Sequence, residues 1–325
     1  NILDLFFLLF KRNKNLKSKN NFAINGCSAL IYILKNLNIK KGSKILIPSL
    51  ICESIPQILK LNNFEVHYYE HNIDGSINLK NLKNFILKKK IKVTVLVNYF
   101  GLNYVNNLKI AKNLRETKCK IIHDCSHTYE INGQNDEFDG IFFSLKKTLP
   151  VPSLGIFRTN NESLKYYKVG LIFKDFLYLT YYLTINFLKN ISYFNKKLIN
   201  LNKISLKSTN TNIAQIYKIN LLTYFFLNSK KKLNKILFLR KRNYYYAKKL
   251  CKLNNQKLIF NNFHKNFLPQ AFTILNSDNR LFNKIKNEGF KIFRWPGEEL
   301  PKCIKKFNNF KKTKFLNKNI ICIPI

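Results

Sequence analysis

The first group of residues that could do chemistry stands at the start of a helical pattern. Asn25, Gly26, Cys27 and Ser28 lead directly into apolar residues with helical spacing at positions 29, 30, 33, 34 and 37. Backbone N–H groups at a helix N-terminus lack intrahelical acceptors and lie at the positive end of the helix dipole, so they can bind a phosphate. The segment also fits an ordinary helix start capped by Ser28, and taken alone it favours that interpretation.

The second group lies in residues 120–127, KIIHDCSH. An apolar strand ends there in Asp124, two small residues and His127. Open α/β sheets bind ligands at the carboxyl ends of their strands. An aspartate at this place could hold a cationic ring nitrogen, a metal or a catalytic proton. The alternative is a loop acid that caps the next segment.

The third group lies in residues 139–150, DGIFFSLKKTLP, where another strand ends at Ser144 and is followed by Lys146 and Lys147. Most lysines in so basic a chain are solvated. A lysine just past a strand end can nevertheless be partly desolvated, which lowers its pKa and makes it a nucleophile toward aldehydes.

The sequence around these three groups predicts the elements that position them. Its pattern is typical of a layered α/β domain with a mostly parallel sheet. Short β-rich runs alternate with amphipathic helical patterns, and the predicted strands are 44–47, 65–69, 93–98, 120–123 and 140–144. A second apolar helix face is formed by Leu79, Leu82, Phe85 and Ile86.

The C-terminal part predicts a separate, smaller α+β domain. Residues 208–212 look like a joint, and residues 221–250 predict a long basic helix or helix pair. A strand, a helix and a last strand are predicted over 270–275, 280–287 and 320–323. We expect a large domain with the N-terminal segment over residues 1–205 and a small domain over 206–325.

The composition bears on partners. The chain carries 57 Lys and Arg against 17 Asp and Glu, a formal net charge of +40, which by itself suggests nucleic acid or an anionic membrane surface. The lysines, however, are spread along the chain, and Lys, Asn, Ile, Phe and Tyr are all abundant, which indicates codon bias. We therefore expect no nucleic-acid partner, do not favour peripheral membrane contact, and expect the surface to attract anionic substrates.

The cysteines and apolar runs bear on location. Seven cysteines without Cys-x-x-Cys spacing indicate free thiols in a reducing, cytoplasmic setting and no zinc site. The apolar run at 2–10 is shorter than the roughly 20 residues that a membrane span needs. The run at 170–194 is interrupted by charged residues and predicts a buried or membrane-surface helix pair.

Together and in this order, the three groups resemble the DegT/DnrJ/EryC1/StrS family, the sugar aminotransferases of fold type I that depend on pyridoxal 5'-phosphate (PLP). The family shows Gly-Thr/Cys-Ser-Ala at its first helix, then Gly-Asp-x-Val-x-x-Pro-Ser. A strand ending in Glu-Asp-Cys-Ala-His/Gln follows, and then Phe-Ser with the cofactor lysine. The matching residues here are 26–29, 42–49, 123–127 and 139–147, with weaker matches at 98–101, 291–296 and 320–325.

The resemblance implies two catalytic residues. Asp124 would pair with the pyridinium nitrogen of PLP and keep it protonated, and Lys147 would bind the cofactor covalently and later move a proton between carbon atoms. A short Ser-Leu-Arg-Lys form of the motif makes Lys146 the counterpart of arginine and favours Lys147 over Lys146. No metal is expected.

The remaining cofactor-binding residues follow from the same resemblance. Backbone groups of Cys27 and Ser28, together with Ser144, would hold the phosphate, and His127 would lie beside the ring hydroxyl. The chain departs from the family at Cys52, where many members place an aromatic ring over the cofactor, so stacking must be weaker or come from elsewhere. His123 replaces the common glutamate.

The resemblance implies transfer of an amino group, from glutamate or another amino acid, to a nucleotide-linked keto-sugar for surface polysaccharide or lipopolysaccharide synthesis, by a homodimer. A PLP-dependent sugar dehydratase is an alternative, which retention of Lys147 disfavours. A catalytically silent basic protein that binds nucleic acid or a membrane surface is another. Arg240 and Arg294 are candidates for binding the carboxylate of the amino donor.

Overall fold

The computed structural model describes most of the chain. The described residues are 15–18, 20–129, 137–149, 151, 154–160, 165–170, 218–220, 227, 229–262, 264, 267, 269–276, 279–289, 291–297, 299–305 and 309–325. The predicted domain boundary at 205/206, the joint at 208–212 and the apolar run at 2–10 lie outside them. Of the apolar run at 170–194, only residue 170 is among the described residues.

The central element is a seven-stranded sheet with the order β2-β8-β7-β6-β5-β3-β4. Its strands are β2 (Asn21–Ala23), β3 (Lys44–Pro48), β4 (Glu65–Tyr69), β5 (Val93–Val97), β6 (Lys120–Asp124), β7 (Gly140–Ser144) and β8 (Gly155–Thr159). The five strands from β3 to β7 pair in parallel. Strand β8 is antiparallel to β7 and to β2. The predicted strands and the mostly parallel sheet are confirmed.

Two smaller sheets complete the described strands. One contains β1 (Asn15–Ser18), β9 (Lys165–Gly170) and β10 (Lys218–Asn220). The other is an antiparallel sheet of β11 (Lys257–Leu258), β12 (Ala271–Leu275) and β13 (Ile320–Pro324). The strands predicted at 270–275 and 320–323 are thus present and pair with each other.

Helices cover the sheets. They are α1 (Gly26–Asn36), α2 (Ser54–Leu61), α3 (Leu79–Lys89), α4 (Tyr104–Leu114), α5 (Lys230–Leu253), α6 (Asn279–Asn287), α7 (Lys302–Lys305) and α8 (Lys311–Asn319). Helix α1 buries the predicted apolar residues Leu30, Ile33 and Leu34 against β7 and β8. The long basic helix predicted at 221–250 is α5.

The core lies on both faces of the large sheet because side chains alternate along each strand. In β3, Ile45 and Ile47 belong to one buried cluster and Leu46 to the other. The first cluster also includes Phe272 of β12 and Ile321 of β13, so the C-terminal sheet packs on the same core. This packing brings the C-terminal residues close to the carboxyl ends of the parallel strands.

Within the described ranges, no helix combines the length and apolar character that crossing a bilayer requires.

Candidate active site

Asp124 is the last residue of β6 and is buried, with 5% of its surface exposed. Its Oδ1 accepts a 2.8 Å hydrogen bond from the backbone N–H of Ser126. Burial raises the pKa of the carboxyl, and the nearby Lys147 ammonium and the Ser126 hydrogen bonds act in the opposite direction. Water therefore stabilises the ionised carboxylate of Asp124 poorly. A cation in contact with it would stabilise it.

Lys147 belongs to a short 3₁₀ turn (Leu145–Lys147) directly after β7. Strands β6 and β7 are parallel neighbours, so their carboxyl ends lie side by side and Ser144 and Lys147 follow at the end adjacent to Asp124. The ammonium of Lys147 acts on the pKa values of Asp124, His127 and Cys27. Lys146 lines the same cavity, but it contributes to none of these three shifts.

The start of α1 forms the floor of the site. Asn25, not Ser28, is the N-cap: its Oδ1 accepts the Ser28 N–H at 2.8 Å, which corrects the capping interpretation. Ser28 is buried and does not line the cavity, whereas Gly26 and Cys27 do. A Cβ at Gly26 would lie 3.3 Å from Cβ of Ser144, so a glycine allows the helix start to approach β7 closely.

His127 lines the cavity and is buried. Its ring stacks on Phe100 at 5.2 Å between centroids and meets Trp295 edge-on at 4.1 Å. Burial, and then the charge of Lys147, lowers the pKa of His127, so the ring is neutral. Its Nδ1 is buried without a hydrogen-bond partner, so it can pair with a polar ligand atom.

His123 points away from the site. Its ring stacks at 4.2 Å on Phe138, which belongs to the same buried cluster as Leu46, and its Nε2 is 3.2 Å from Nδ2 of Asn107. Burial lowers the pKa of His123 to about 3. His123 therefore packs and makes polar contacts inside the core and lines neither cavity.

Trp295 is a site residue that was not predicted from the sequence. It lines the cavity from the C-terminal part of the chain, and its ring centroid lies 5.8 Å from Nζ of Lys147. The indole Nε1 donates to the carbonyl oxygen of Leu50 at 3.4 Å, and Asn317 donates to the Trp295 carbonyl oxygen at 3.0 Å. Two signals in the sequence pointed to it: it is the only tryptophan of the chain, and it lies in the segment 291–296, which weakly matches the resembling family.

Cys52 lines the cavity beside Cys27, where many members of the resembling family carry an aromatic ring. The Cys52 Sγ is 3.1 Å from Oγ of Ser54. Burial, with a smaller contribution from Cys52, raises the pKa of Cys27 to about 11, so Cys27 is a neutral thiol. The aromatic surface of the cavity comes instead from Trp295.

Neither proposed arginine lines the cavity. Arg240 donates to the carbonyl oxygens of Thr148 and Pro269 at 2.7 and 3.1 Å. Arg294 donates to the carbonyl oxygen of Lys318 and lies 4.4 Å over the ring of Phe282. Both guanidinium groups are therefore used within the fold. Arg240 supports the backbone next to Lys147.

Two adjoining cavities result. The first, about 210 Å³, is lined by Asp124, Ser126, His127, Ser144, Lys147, Trp295 and the start of α1. The second, about 590 Å³, lies between α2 and residues from Pro296 to Cys303, and it shares Cys52, Gln57 and Leu61 with the first. Among the described residues, no group of three or more His, Cys, Asp and Glu is arranged to hold a metal ion.

The residues present fit a flat, anionic cofactor with a cationic ring nitrogen. Asp124 supplies a buried carboxylate, the start of α1 faces the same cavity, and Nδ1 of His127 lacks a partner. Lys147 is the amine beside them that could react with an aldehyde.

Comparisons with known proteins bear on the fold that carries this site. Residues 2–100 match the family model of aminotransferase class I and II. No curated protein matches the sequence. A DegT DnrJ EryC1 StrS aminotransferase from Brucella abortus superposes with a TM-score of 0.63 at 16% identity, covering 94% of this chain and 80% of that chain.

Two further solved structures are similar. The apo-form of Spr1654 from Streptococcus pneumoniae, described as a sugar aminotransferase, gives a TM-score of 0.67 at 13% identity, with coverage of 100% and 89%. DesV from S. venezuelae gives 0.61 at 13% identity, with coverage of 94% and 79%. The chain has the α/β fold of these PLP-dependent aminotransferases, and the resemblance predicted from the motifs is confirmed.

Proposed function

We propose that the chain is a PLP-dependent aminotransferase that moves an amino group from an amino acid to a sugar. The observation that carries the proposal is the sharing of one cavity by the buried carboxylate of Asp124 and the amine of Lys147. The structures of Spr1654 are described in PLP and PMP forms, which supports the cofactor.

Asp124 would hold the ring nitrogen in its protonated form, since an ionised carboxylate at a buried position is stabilised by a cation in contact with it. When bound, PLP supplies an electron sink for the charge left by a departing Cα proton. Nζ of Lys147 would condense with the cofactor aldehyde with loss of water and, once displaced by the amino donor, would take that proton and deliver it to the carbon that had carried the aldehyde oxygen. Lys147 is exposed in the structure, and the ring of Trp295 lies 5.8 Å from its amine, on the side of the cavity formed by the C-terminal part of the chain.

The phosphate would lie at the start of α1, where the backbone N–H groups of Gly26 and Cys27 and the hydroxyl of Ser144 line the cavity. Ser28 acts there indirectly, because its N–H fixes the side chain of Asn25. His127 would donate or accept a hydrogen bond at the ring hydroxyl through its unpartnered Nδ1.

The acceptor would be a keto-sugar carried on a nucleotide. The first cavity would hold the cofactor, and the adjoining cavity of about 590 Å³ would offer room for the sugar and the nucleotide. Glutamate as donor, a cytoplasmic homodimer, and a product used in surface polysaccharide or lipopolysaccharide synthesis complete the proposal by analogy with the family.

Cofactor binding is the first test. Purified chain mixed with PLP should show a visible absorption band, and borohydride should fix the cofactor on Lys147, identified by peptide mass spectrometry. Lys147→Ala should abolish the fixed adduct, and Lys146→Ala is the matched control that should retain it. A preparation that never binds PLP, or an adduct on Lys146, would contradict the proposal.

The reaction type needs a second measurement. Glutamate added to the PLP-loaded chain should convert the absorption to that of pyridoxamine phosphate, with formation of 2-oxoglutarate in equal amount. The dehydratase alternative predicts no such conversion.

A further inference from the structure

Helix α5 is unusual in its charge. Ten of its 24 residues are Lys or Arg and none is Asp or Glu, whereas the whole chain holds 57 basic and 17 acidic residues in 325. Basic residues are thus more than twice as dense on α5 as in the chain. The dispersed charge inferred from the sequence has a local maximum here.

One face of α5 is fixed to the body of the protein. Leu233 and Tyr244 are buried, Tyr244 donates to the carbonyl oxygen of Asn261, and Arg240 donates to Thr148 and Pro269. These contacts define which side of the helix faces the protein and which faces outward.

Large apolar side chains nevertheless occupy the outward face. Phe238, Tyr246 and Leu253 are 64%, 66% and 71% exposed, and Leu239 and Leu250 are exposed as well. At about 100° per residue these five fall within an arc of about 120° opposite the buried face. Exposed Lys235, Arg242 and Lys249 fall in the same arc.

We propose that this outward face of α5 is a docking surface for an anionic lipid bilayer. The helix would lie along the membrane surface, with its aromatic and leucine side chains at the boundary between headgroups and acyl chains. The basic residues, with long apolar stems, would reach lipid phosphates from the same face. The proposal does not depend on the proposed enzymatic activity.

Two other occupants fit the face less well. A second copy pairing through this face of α5 would bring the exposed basic residues of both helices together without an acidic residue on either helix. Nucleic acid would use the positive charge and could stack on Phe238 or Tyr246, but Leu250 and Leu253 offer nothing to phosphates or bases. A bilayer with anionic headgroups uses both the charge and the aliphatic surface.

Co-sedimentation of the full chain with vesicles tests the proposal. Vesicles of phosphatidylcholine and phosphatidylglycerol should bind the chain, binding should fall with added salt, and phosphatidylcholine alone should bind weakly. A triple variant that carries Lys235→Gln, Arg242→Gln and Lys249→Gln should bind the vesicles roughly a hundredfold more weakly, at about a factor of five per charge. Phe238→Ser with Leu250→Ser should weaken it by about tenfold or more.

Matched controls lie on elements other than α5. Lys80, Lys88 and Lys89, exposed on α3, are changed to Gln to remove the same charge. A second control, Ile73→Ser with Leu87→Ser, removes two apolar side chains that are exposed outside α5, at 41% and 59%. Both controls should bind within about twofold of the original chain, and circular dichroism should show that every variant is folded.

Several results would overturn the proposal. Equal losses from the α3 and α5 charge variants would mean that overall charge alone drives binding. If the change at Phe238 and Leu250 leaves vesicle binding unaltered, and duplex DNA or RNA displaces the chain from the vesicles, the partner of this face would be nucleic acid. Self-association that this change abolishes would make α5 an interface between copies of the chain.

Discussion

The guanidinium of Arg240 donates a 2.7 Å hydrogen bond to the carbonyl oxygen of Thr148, the residue that follows Lys147. A second donor, Nε2 of Gln270, reaches the carbonyl oxygen of Lys147 itself at 3.2 Å. The turn that carries the proposed cofactor lysine is therefore held by two side chains from the C-terminal part of the chain. The same helix that presents the proposed membrane surface outward supports this turn inward.

Arg240→Gln should loosen the lysine turn. Loss of two half-buried hydrogen bonds from a charged donor should lower the free energy of unfolding by about 1.5–3 kcal/mol and weaken PLP binding. Urea unfolding and absorbance titration with PLP measure the two effects. Arg242→Gln, an exposed neighbour on the same helix, is the control and should change neither. Unchanged PLP affinity in Arg240→Gln would remove its positioning role.

Asp124→Asn should separate stability from function. Burial raises the pKa of Asp124, so its contribution to stability is present below the unfolded pKa and is lost as pH rises through the folded pKa. The variant without cofactor should therefore be more stable than the original chain at pH 8, by a margin that shrinks toward acidic pH. Thermal unfolding across pH measures this.

The same variant should lose at least about a hundredfold in transaminase rate, because an amide does not stabilise the charged ring nitrogen. Single-turnover conversion of the PLP-loaded chain by glutamate measures that rate. Normal PLP affinity and turnover in Asp124→Asn would refute the role proposed for this carboxylate.

Trp295 should report on the cofactor. It is the only tryptophan and lies 5.8 Å from Nζ of Lys147, so PLP binding should quench most of the intrinsic tryptophan fluorescence. Trp295→Ala should weaken PLP binding, since it removes the aromatic surface that Cys52 does not provide, and Trp295→Phe should retain most of the affinity. If PLP absorbance appears while the fluorescence stays constant, Trp295 does not cover the cofactor.

Gly155→Ala should disrupt the floor of the site. A Cβ at Gly155 would lie 2.1 Å from the backbone oxygen of Asn25, so β8 and the start of α1 must separate. We expect the free energy of unfolding to fall by about 1–3 kcal/mol and PLP affinity to fall with it. Gly297→Ala is the matched control: its Cβ would meet nothing closer than 3.7 Å, and it should cost less than about 0.5 kcal/mol.

His123 should make the fold sensitive to acid. Burial lowers its pKa to about 3, so its contribution to stability is complete above the unfolded pKa of about 6.5 and is lost as pH falls toward 3. The free energy of unfolding should fall by up to about 1.4 kcal/mol per pH unit in this window. His123→Gln should reduce that slope in urea titrations, and an unchanged slope would assign the acid sensitivity to other groups.

The sequence predicted the strand ends that build the site because their signals are local. Apolar runs end at Asp124 and Ser144, and parallel strands place their carboxyl ends together, so convergence of these residues with Lys147 followed from the pattern. The predicted N-cap of α1, Ser28, was wrong by three positions, since Ser and Asn both suit an N-cap and only the backbone geometry shows that Asn25 takes this place.

The sequence by itself determined the parallel sheet, the order of the motifs and the residue types that could hold PLP. Apolar periodicity and the ends of strands depend on residues that are close in the chain, so a local pattern is enough to predict them. Only the tertiary structure decided that Trp295 lies beside Lys147, that Arg240 supports the lysine turn, and that α5 turns its apolar residues outward. These relationships join residues far apart in the chain, and they depend on how the C-terminal sheet packs on the core, which no local pattern specifies.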